Sequence, residues 1–475
     1  MTKAEFITHG KELVKKGRGV DFPFQLEVEG KVLTCLQPLR ILPGKRLTVL
    51  GEWDSQQVVA KIFVDPRSWR RHSLRELNGC RILDKSGIDT PPVITYQPFA
   101  EKKMAVLLSS FIREGVNLSS LVTSIDDEKL EYLVKEIMEQ LGLLHQLGIT
   151  HGDLHLDNFL IKGGQIFLLD GDQVREYPRE VSLEDGLDNV AQLFGHFPWR
   201  QRPVINKLLR DYFHSRQITF DPSRREQFSK AVIRVSKNQI AEYAEKVLRE
   251  CTAVRARRGM TEFSLHNRKY LCTVTREQLD NFLDDPETKL IKKGNTCTIG
   301  HLQAWVVKRY NIKDFWHGLR RCFRKSRAMV SWCNAHVLTK LGIATPTPVA
   351  CIEQRWGWVI RRKAYFISEY VAGETLDQVI ARGELTTQIS EQVVELLWQI
   401  YSIGFRHGDL KATNILITAE DAKILDLDGM FHCHNKAKLI KRWKKDLCRF
   451  QQNWLEKTQV KNLFHKLLVE KGFSL

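Results

Sequence analysis

Alternation of apolar and polar positions first becomes regular at Arg46-Leu-Thr-Val-Leu-Gly-Glu-Trp53 and Gln57-Val-Val-Ala-Lys-Ile-Phe63, which read as two β-strands joined by a turn. Residues 1–30 are polar and basic with a few apolar anchors and set no comparable pattern. From Trp69 to Lys85 the period becomes helical, with Leu74, Leu77, Ile82 and Leu83 among the apolar positions. Gly87-Ile-Asp-Thr-Pro91 ends that helix, glycine just past it and proline following. Ala105-Val-Leu-Leu108 reads as a buried strand, residues 111–117 as a hinge, and 130–147 as a long amphipathic helix.

The succession then returns. Residues 296–300 and Ala304-Trp-Val-Val-Lys308-Arg-Tyr repeat the strand pair, and Gly342-Ile-Ala-Thr-Pro346 repeats the helix stop at an offset of 255. Phe366-Ile-Ser-Glu-Tyr-Val-Ala-Gly-Glu-Thr-Leu376 reads as strand plus hinge. A charged helical stretch ending in Arg255-Ala-Arg-Arg-Gly259 lies between, so two domains are expected, 1–250 and 251–475. Each is long enough for a core of its own.

The strongest repeat follows the long helix. His151-Gly-Asp-Leu-His-Leu-Asp-Asn158 is followed by Phe-Leu-Leu-Asp170-Gly-Asp, and His407-Gly-Asp-Leu-Lys-Ala-Thr-Asn414 by Ile-Leu-Asp426-Leu-Asp. His151 to His407, Asp153 to Asp409, Asn158 to Asn414 and Asp170 to Asp426 are each 256 residues apart. The spacing suits phosphoryl transfer: Asp153 or Asp409 would orient an acceptor hydroxyl and take its proton. The asparagine and the later aspartate would hold the divalent metal that bridges nucleotide phosphates. This is similar to the catalytic loop and metal-binding segment of the protein-kinase-like superfamily, with glycine in place of the arginine of His-Arg-Asp. The resemblance implies an α+β fold of two tandem kinase-like domains, each a small β-rich lobe and a larger helical lobe. Without that arginine, switching by activation-loop phosphorylation is not expected.

Lys61, inside an apolar strand, stands where such folds place the lysine for the α- and β-phosphates, and Lys308 is its counterpart. Glu76, on the helix after Lys61, is the expected partner; an edge lysine and a solvated glutamate are the bland alternatives. The position matching Glu76 is Ser331, and no acid occurs between Asp314 and Glu353. Lys308 thus lacks an obvious partner, with Asn334 or His336 the nearest polar candidates, which puts catalysis by the second domain in question. Lys411, two residues after Asp409, could stabilise charge on the transferred group, where the first domain has His155. No Gly-x-Gly-x-x-Gly precedes either lysine, so phosphate cover falls to a less glycine-rich hairpin. Asp188 and Asp446 are expected to support the two cores.

Composition narrows the class. Hydrophobic residues make up 43% and charged residues 27%, as in a folded globular chain. No apolar run reaches the length of a membrane span and no signal-peptide core opens the chain, so a cytoplasmic location is expected. The ten cysteines form no Cys-x-x-Cys pair and suit reduced, buried thiols. His432, Cys433 and His434 offer no second pair of ligands for zinc. A net charge of +17 asks for an anionic partner, be it nucleic acid, acidic lipid or phosphorylated sugar. Two stretches concentrate it: 313–327, with Phe315, Trp316 and Phe323 interleaved, and 436–445, around Leu439, Ile440 and Trp443. Each could bind an anion or be a solvated helix face.

At the catalytic loops, the strand lysines and the Gly-Ile-x-Thr-Pro turns, the sequence resembles the bacterial lipopolysaccharide-core kinases, the Kdo and heptose kinases. Ser326-Arg-Ala through Trp332 to Thr345-Pro346, then 407–428, carry the likeness furthest. The resemblance implies ATP, Mg2+ and a sugar hydroxyl on the lipopolysaccharide inner core, met as an anionic glycolipid at the inner face of the inner membrane. Three alternatives stay open: an aminoglycoside-type phosphotransferase, a pseudokinase scaffold in envelope assembly, and, last, nucleic-acid binding.

Overall fold

The computed structural model describes residues 5–122, 124–198, 201–202, 207–270, 274–311, 325–356, 360–433, 435–454 and 456–473. The chain divides into two compact units between Ser236 and Lys237. The sequence boundary at 250 falls later because it follows composition, while packing divides helix α4 (Pro222–Lys246). Phe228 and Ala231 of that helix belong to the core of the first unit, and Ile240 to a core of the second.

The first unit opens with a seven-stranded sheet in the order β1-β2-β3-β4-β5-β7-β6. Its strands are β1 (Glu5–Phe6), β2 (Phe24–Val28), β3 (Lys31–Leu42), β4 (Arg46–Trp53), β5 (Gln56–Phe63), β6 (Val93–Phe99) and β7 (Met104–Ser110). Along β5, Val58, Ala60 and Ile62 enter the sheet core. Strand alternation therefore turns Lys61 to the opposite face, where Phe63, Ala105 and Leu107 pack with Trp69 and Leu77 of helix α1 (Trp69–Lys85). Leu74, one of the apolar positions of this helix, is 46% exposed.

The larger lobe is built on helix α2 (Asp127–Gln146). Asp126 caps it by accepting from Lys129 N, and Asp127 and Glu128 sit favourably in its first turn. Leu130, Leu133, Val134, Ile137, Met138, Leu141 and Leu144 are buried at helical spacing, each side chain contributing about 1.5–3 kcal/mol. Two short antiparallel ladders follow, Phe159–Lys162 with Gln165–Leu168 and Val174–Glu176 with Ile149–His151. They fix the loops that carry Asp153, Asn158 and Asp170. Helix α3 (Leu183–Phe194), capped by Ser182, begins soon after.

The second unit repeats this plan. Its strands are β8 (Val254–Arg258), β9 (Glu262–Asn267), β10 (Leu290–Lys293), β11 (Cys297–Leu302), β12 (Trp305–Tyr310), β13 (Pro348–Trp356) and β14 (Ile360–Glu369), in sheet order β8-β9-β13-β14-β12-β11-β10. Five strands match between the units: β3-β4-β5-β7-β6 and β10-β11-β12-β14-β13. The first unit adds two strands at the β3 edge, and the second adds two at the opposite edge. Helix α5 (Arg327–Lys340) takes the place of α1, and α6 (Thr387–Ser402), capped by Thr386, that of α2. Helix α7 (Lys436–Gln451) buries Leu439, Trp443, Leu447 and Phe450 and turns its lysines outward. The basic-aromatic residues 313–324 lie outside the described residues, as does His434.

Candidate active sites

Both candidate catalytic loops are held by one pattern of hydrogen bonds. In the first unit, His151 Nε2 contacts Leu169 O at 3.1 Å, and His151 Nδ1 accepts from Asp153 N at 3.3 Å. Asn158 Nδ2 donates to Asp153 O at 2.7 Å, and Leu169 N to Asn158 O at 2.8 Å. In the second unit the four distances, between corresponding atoms, are 2.9, 3.3, 2.9 and 2.8 Å. A histidine that receives on Nδ1 and donates from Nε2 is the neutral tautomer. Burial pushes the His151 imidazole down, which keeps that state.

Asp170 and Asp426 both adopt left-handed backbone, φ 71° and 56°, unusual for non-glycine residues and matched in the two units. Each is followed by a 3-10 turn against the helix after the lysine strand. In the first unit the approach is backbone to backbone: a Cβ on Gly79 of α1 would lie 1.9 Å from Gly171 O. In the second, Asn334 of α5 donates from Nδ2 to Leu427 O and Met430 O, both at 2.9 Å. Asn334 therefore holds the turn rather than the lysine. His336 packs edge-on against Trp332, 4.2 Å between centroids.

Lys61 Nζ ion-pairs with Glu76 Oε1 and lies 3.3 Å from Asp170 Oδ1, bringing together three residues singled out from sequence. A fourth, Arg46, was missed. Its Nη1 lies 3.2 Å from Glu76 Oε2 and 3.5 Å from Asp170 Oδ1. Burial alone would raise the Asp170 carboxyl, but Lys61 and Arg46 outweigh it and hold the carboxyl well below the usual range. The turn before Arg46 is Pro43-Gly44-Lys45, with Gly44 at φ 69°. This tight turn joins β3 to β4, the strand paired with the Lys61 strand, where the sequence reading expects phosphate cover.

The second unit reaches the same balance with other residues. Lys308 Nζ lies 2.5 Å from Asp426 Oδ1 and 2.9 Å from Asp428 Oδ2, so the missing partner is supplied by Asp428. Arg327 Nη2 of α5 lies 2.9 Å from the same Asp428 oxygen. Strand register explains the exchange. Arg46 pairs across the ladder with Phe63, two residues past Lys61, and Cys297 pairs with Tyr310, two past Lys308. Cys297 therefore replaces Arg46 while Ser331 replaces Glu76, and Tyr310 Oη is 3.0 Å from Ser331 Oγ. The Tyr310 ring faces Lys308 Nζ at 4.9 Å and Arg327 Cζ at 5.1 Å. One half-buried cation and one buried anion leave together, and each site keeps two cations against two carboxylates.

Support beneath the loops also differs. Asp446 Oδ2 accepts from His407 N at 3.1 Å and Gly408 N at 3.0 Å. Its counterpart is Asn189, which donates from Nδ2 to His151 O at 2.8 Å. Asp188, one residue earlier, instead pairs with Arg234 at 2.6 Å on the surface, because α3 turns it away from the loop. Gly408 has φ 87°, and a Cβ there would meet Gly429 O at 2.6 Å, so glycine is required where the His-Arg-Asp motif has arginine. Around the candidate bases, His155 Nε2 is 3.6 Å from Asp153 Oδ2, and Lys411 Nζ is 3.1 Å from Asp409 Oδ2.

Comparison with known proteins gives these sites a context. Residues 280–468 match the Lipopolysaccharide kinase (Kdo/WaaP) family, and residues 64–199 match the RIO domain. The KEOPS complex subunit Bud32 of Pyrococcus abyssi is 26% identical over 157 residues, 32% of this chain and 68% of that protein. The 3-deoxy-D-manno-octulosonic acid kinase of Pasteurella multocida is 24% identical over 171 residues, 34% of this chain and 69% of that protein. A probable bifunctional tRNA threonylcarbamoyladenosine biosynthesis protein of Methanosarcina mazei is 30% identical over 107 residues, 22% of this chain and 17% of that protein. The lipopolysaccharide-kinase match lies in the second half, and the first half matches the RIO domain. The chain is a tandem of two kinase-like domains, the second similar to the Kdo/WaaP kinases and the first to the RIO domain.

Proposed function

We propose that this protein transfers the γ-phosphoryl group of ATP to a sugar hydroxyl of the lipopolysaccharide inner core. The match of residues 280–468 to the Kdo/WaaP family carries this reading, and the bond-for-bond repetition of the Asp-Asn-Asp frame supports it. Asp409, and Asp153 in its own unit, take the hydroxyl proton as the acceptor oxygen bonds to the γ-phosphorus and ADP leaves. Lys308 and Lys61 hold the α- and β-phosphates, and Lys411 offsets charge on the group in transit.

The residues present suit a divalent cation. Asn158 and Asn414 each commit Nδ2 to a backbone carbonyl, which leaves Oδ1 as an oxygen donor beside Asp170 or Asp426. Among the described residues no group of three His, Cys, Asp or Glu forms a closed metal cage. An amide oxygen plus a carboxylate, completed by phosphate oxygens and water, fits Mg2+. Asn158, Asp170, Asn414 and Asp426 would hold it, and it would neutralise phosphate charge.

The acceptor reading is also supported by the +17 charge, which favours an anionic glycolipid. Contact with the inner membrane would be peripheral: among the described residues no helix is long and apolar enough to cross a membrane. Label transfer from ATP and Mg2+ to dephosphorylated core lipopolysaccharide tests the proposal. Incorporation into the oligosaccharide is expected; ATP turnover without incorporation overturns the acceptor.

A second reading applies to the first unit alone. Its RIO-domain match favours a kinase-like role on a different acceptor. Label that appears on the chain itself or on a protein substrate, and disappears with Asp153→Asn alone, would support it.

A further inference from the structure

The candidate base of the second unit is held by two cations. Arg449 Nη2 lies 2.7 Å from Asp409 Oδ1, and Lys411 Nζ 3.1 Å from Oδ2. Arg449 is positioned for this by α7, one turn after Asp446, the residue that holds His407 N and Gly408 N. Trp443 of the same helix donates from Nε1 to Phe405 O at 2.6 Å, so the helix is anchored to the strand leading into the loop. Beside Arg449 lies a shallow cavity of about 460 Å³ lined by Lys444, Lys445, Cys448, Arg449 and Gln452.

Arg449 lies against Oδ1, a buried oxygen with no hydrogen-bond partner, and Lys411 against Oδ2, so an acceptor hydroxyl must compete with two cations for the Asp409 carboxylate. The Arg449–Asp409 pair is also exposed, at 46% and 37% of the side chains, and exposed pairs hold weakly. An incoming anion can take the guanidinium at little cost, and bidentate geometry suits a carboxylate or a phosphate. Among the described residues the first unit shows no such clamp. Gln192 stands at the position of Arg449, counted from Asn189 as Arg449 is from Asp446, and Asp153 is 53% exposed.

We propose that Arg449 is the residue by which the second site selects an anionic acceptor. A carboxylate or phosphate of the acceptor, lodged in the cavity of α7, replaces Asp409 as partner of Arg449, and the freed Oδ1 then receives the hydroxyl proton. This inference rests on the reading of Asp409 as the base. Anion recognition and activation of the base are one event, so a neutral sugar binds without releasing the clamp.

Binding to deacylated core oligosaccharide in ADP tests it, using the full chain as wild type, Arg449→Gln, Asp409→Asn and the double variant. Arg449→Gln is expected to weaken binding about tenfold, the loss of one charge-assisted hydrogen bond. Asp409→Asn is expected to tighten it severalfold, because Arg449 is no longer shared, and the double variant should match Arg449→Gln. Oligosaccharide treated with phosphatase and oligosaccharide with reduced carboxylates distinguish the two anion sources. Unchanged binding in Arg449→Gln, or weaker binding in Asp409→Asn, overturns the proposal. A second readout needs no acceptor: in an Asp153→Asn background, Arg449→Gln should raise ATP hydrolysis severalfold, since water reaches an unclamped base. Equal or lower hydrolysis also overturns it. Raised hydrolysis in a chain that binds no core oligosaccharide keeps the clamp and removes only the lipopolysaccharide acceptor.

Discussion

Asp428 Oδ2 lies 2.9 Å from Lys308 Nζ, which gives the second unit a lysine partner two residues past Asp426 rather than on the neighbouring helix. The first unit uses the same segment differently: Asp172 accepts from Arg75 at 2.8 Å, while Lys61 turns to Glu76. Loss of the helix glutamate therefore does not leave Lys308 without acidic partners. It accompanies loss of Arg46 and entry of Arg327, and the net charge around the lysine is kept.

That exchange can be tested within the first unit. Glu76→Ser alone leaves Lys61 and Arg46 buried around Asp170 and is expected to cost about 3–5 kcal/mol. Adding Arg46→Cys, the combination found in the second unit, should recover about 1–3 kcal/mol. Urea unfolding of the single and double variants measures the coupling. Strictly additive losses would contradict the compensation.

Gly79 should not tolerate a side chain. A Cβ there sits 1.9 Å from Gly171 O, between helix and turn backbones that cannot give way cheaply. Gly79→Ala is expected to destabilise the first unit by about 3 kcal/mol, read as a shifted urea midpoint, and to weaken its nucleotide binding by displacing Asp170.

The motif frame was legible because it is local. Asp153, Asn158 and Asp170 lie within one loop and hairpin, so their spacing fixes their geometry, and the 256-residue repeat carries it to Asp409, Asn414 and Asp426. Lys61 and Glu76 were legible as strand and following helix. Arg46 was not, since its place depends on which residue of β4 faces Phe63, a register that no periodicity reports. Asp428 carried a usable signal, the Asp-x-Asp repeated at Asp170-Gly-Asp172 and Asp426-Leu-Asp428; what hid it was the expectation of a helical partner. Asn189 and Asp188 differ by one residue, a step of about 100° around α3 that sequence spacing cannot resolve. The division inside α4 was hidden because one continuous helix serves two cores.

Acid should weaken the first unit. His145 is fully buried against Tyr212 and Asn189, and burial pulls its imidazole down to about 4. Its unfolded value is about 6.5, so the unfolded chain takes up the proton first. Stability is intact above about pH 6.5 and falls toward pH 4, by up to about 3 kcal/mol from this group. His336 is likewise pulled down to about 4 and acts with the same sign in the second unit. Urea midpoints between pH 7.5 and 4.5 should fall for the wild type and fall less for His145→Gln.

Asp446 should matter more than its distance from the chemistry suggests. Asp446→Ala leaves the amides of His407 and Gly408 unsatisfied and is expected to cost about 3 kcal/mol. Asp446→Asn, which copies Asn189, should cost about 1 kcal/mol and keep a positioned Asp409. Equal losses in the two variants would show that the loop does not depend on these bonds.

The most direct test of two working sites is label transfer from ATP to dephosphorylated core lipopolysaccharide by wild type, Asp153→Asn, Asp409→Asn and the double variant. The account expects each single variant to retain part of the transfer and the double variant to lose about 10²–10⁴-fold. Transfer unchanged by Asp409→Asn and abolished by Asp153→Asn would contradict it, leaving the second unit with the frame of a kinase and none of its chemistry.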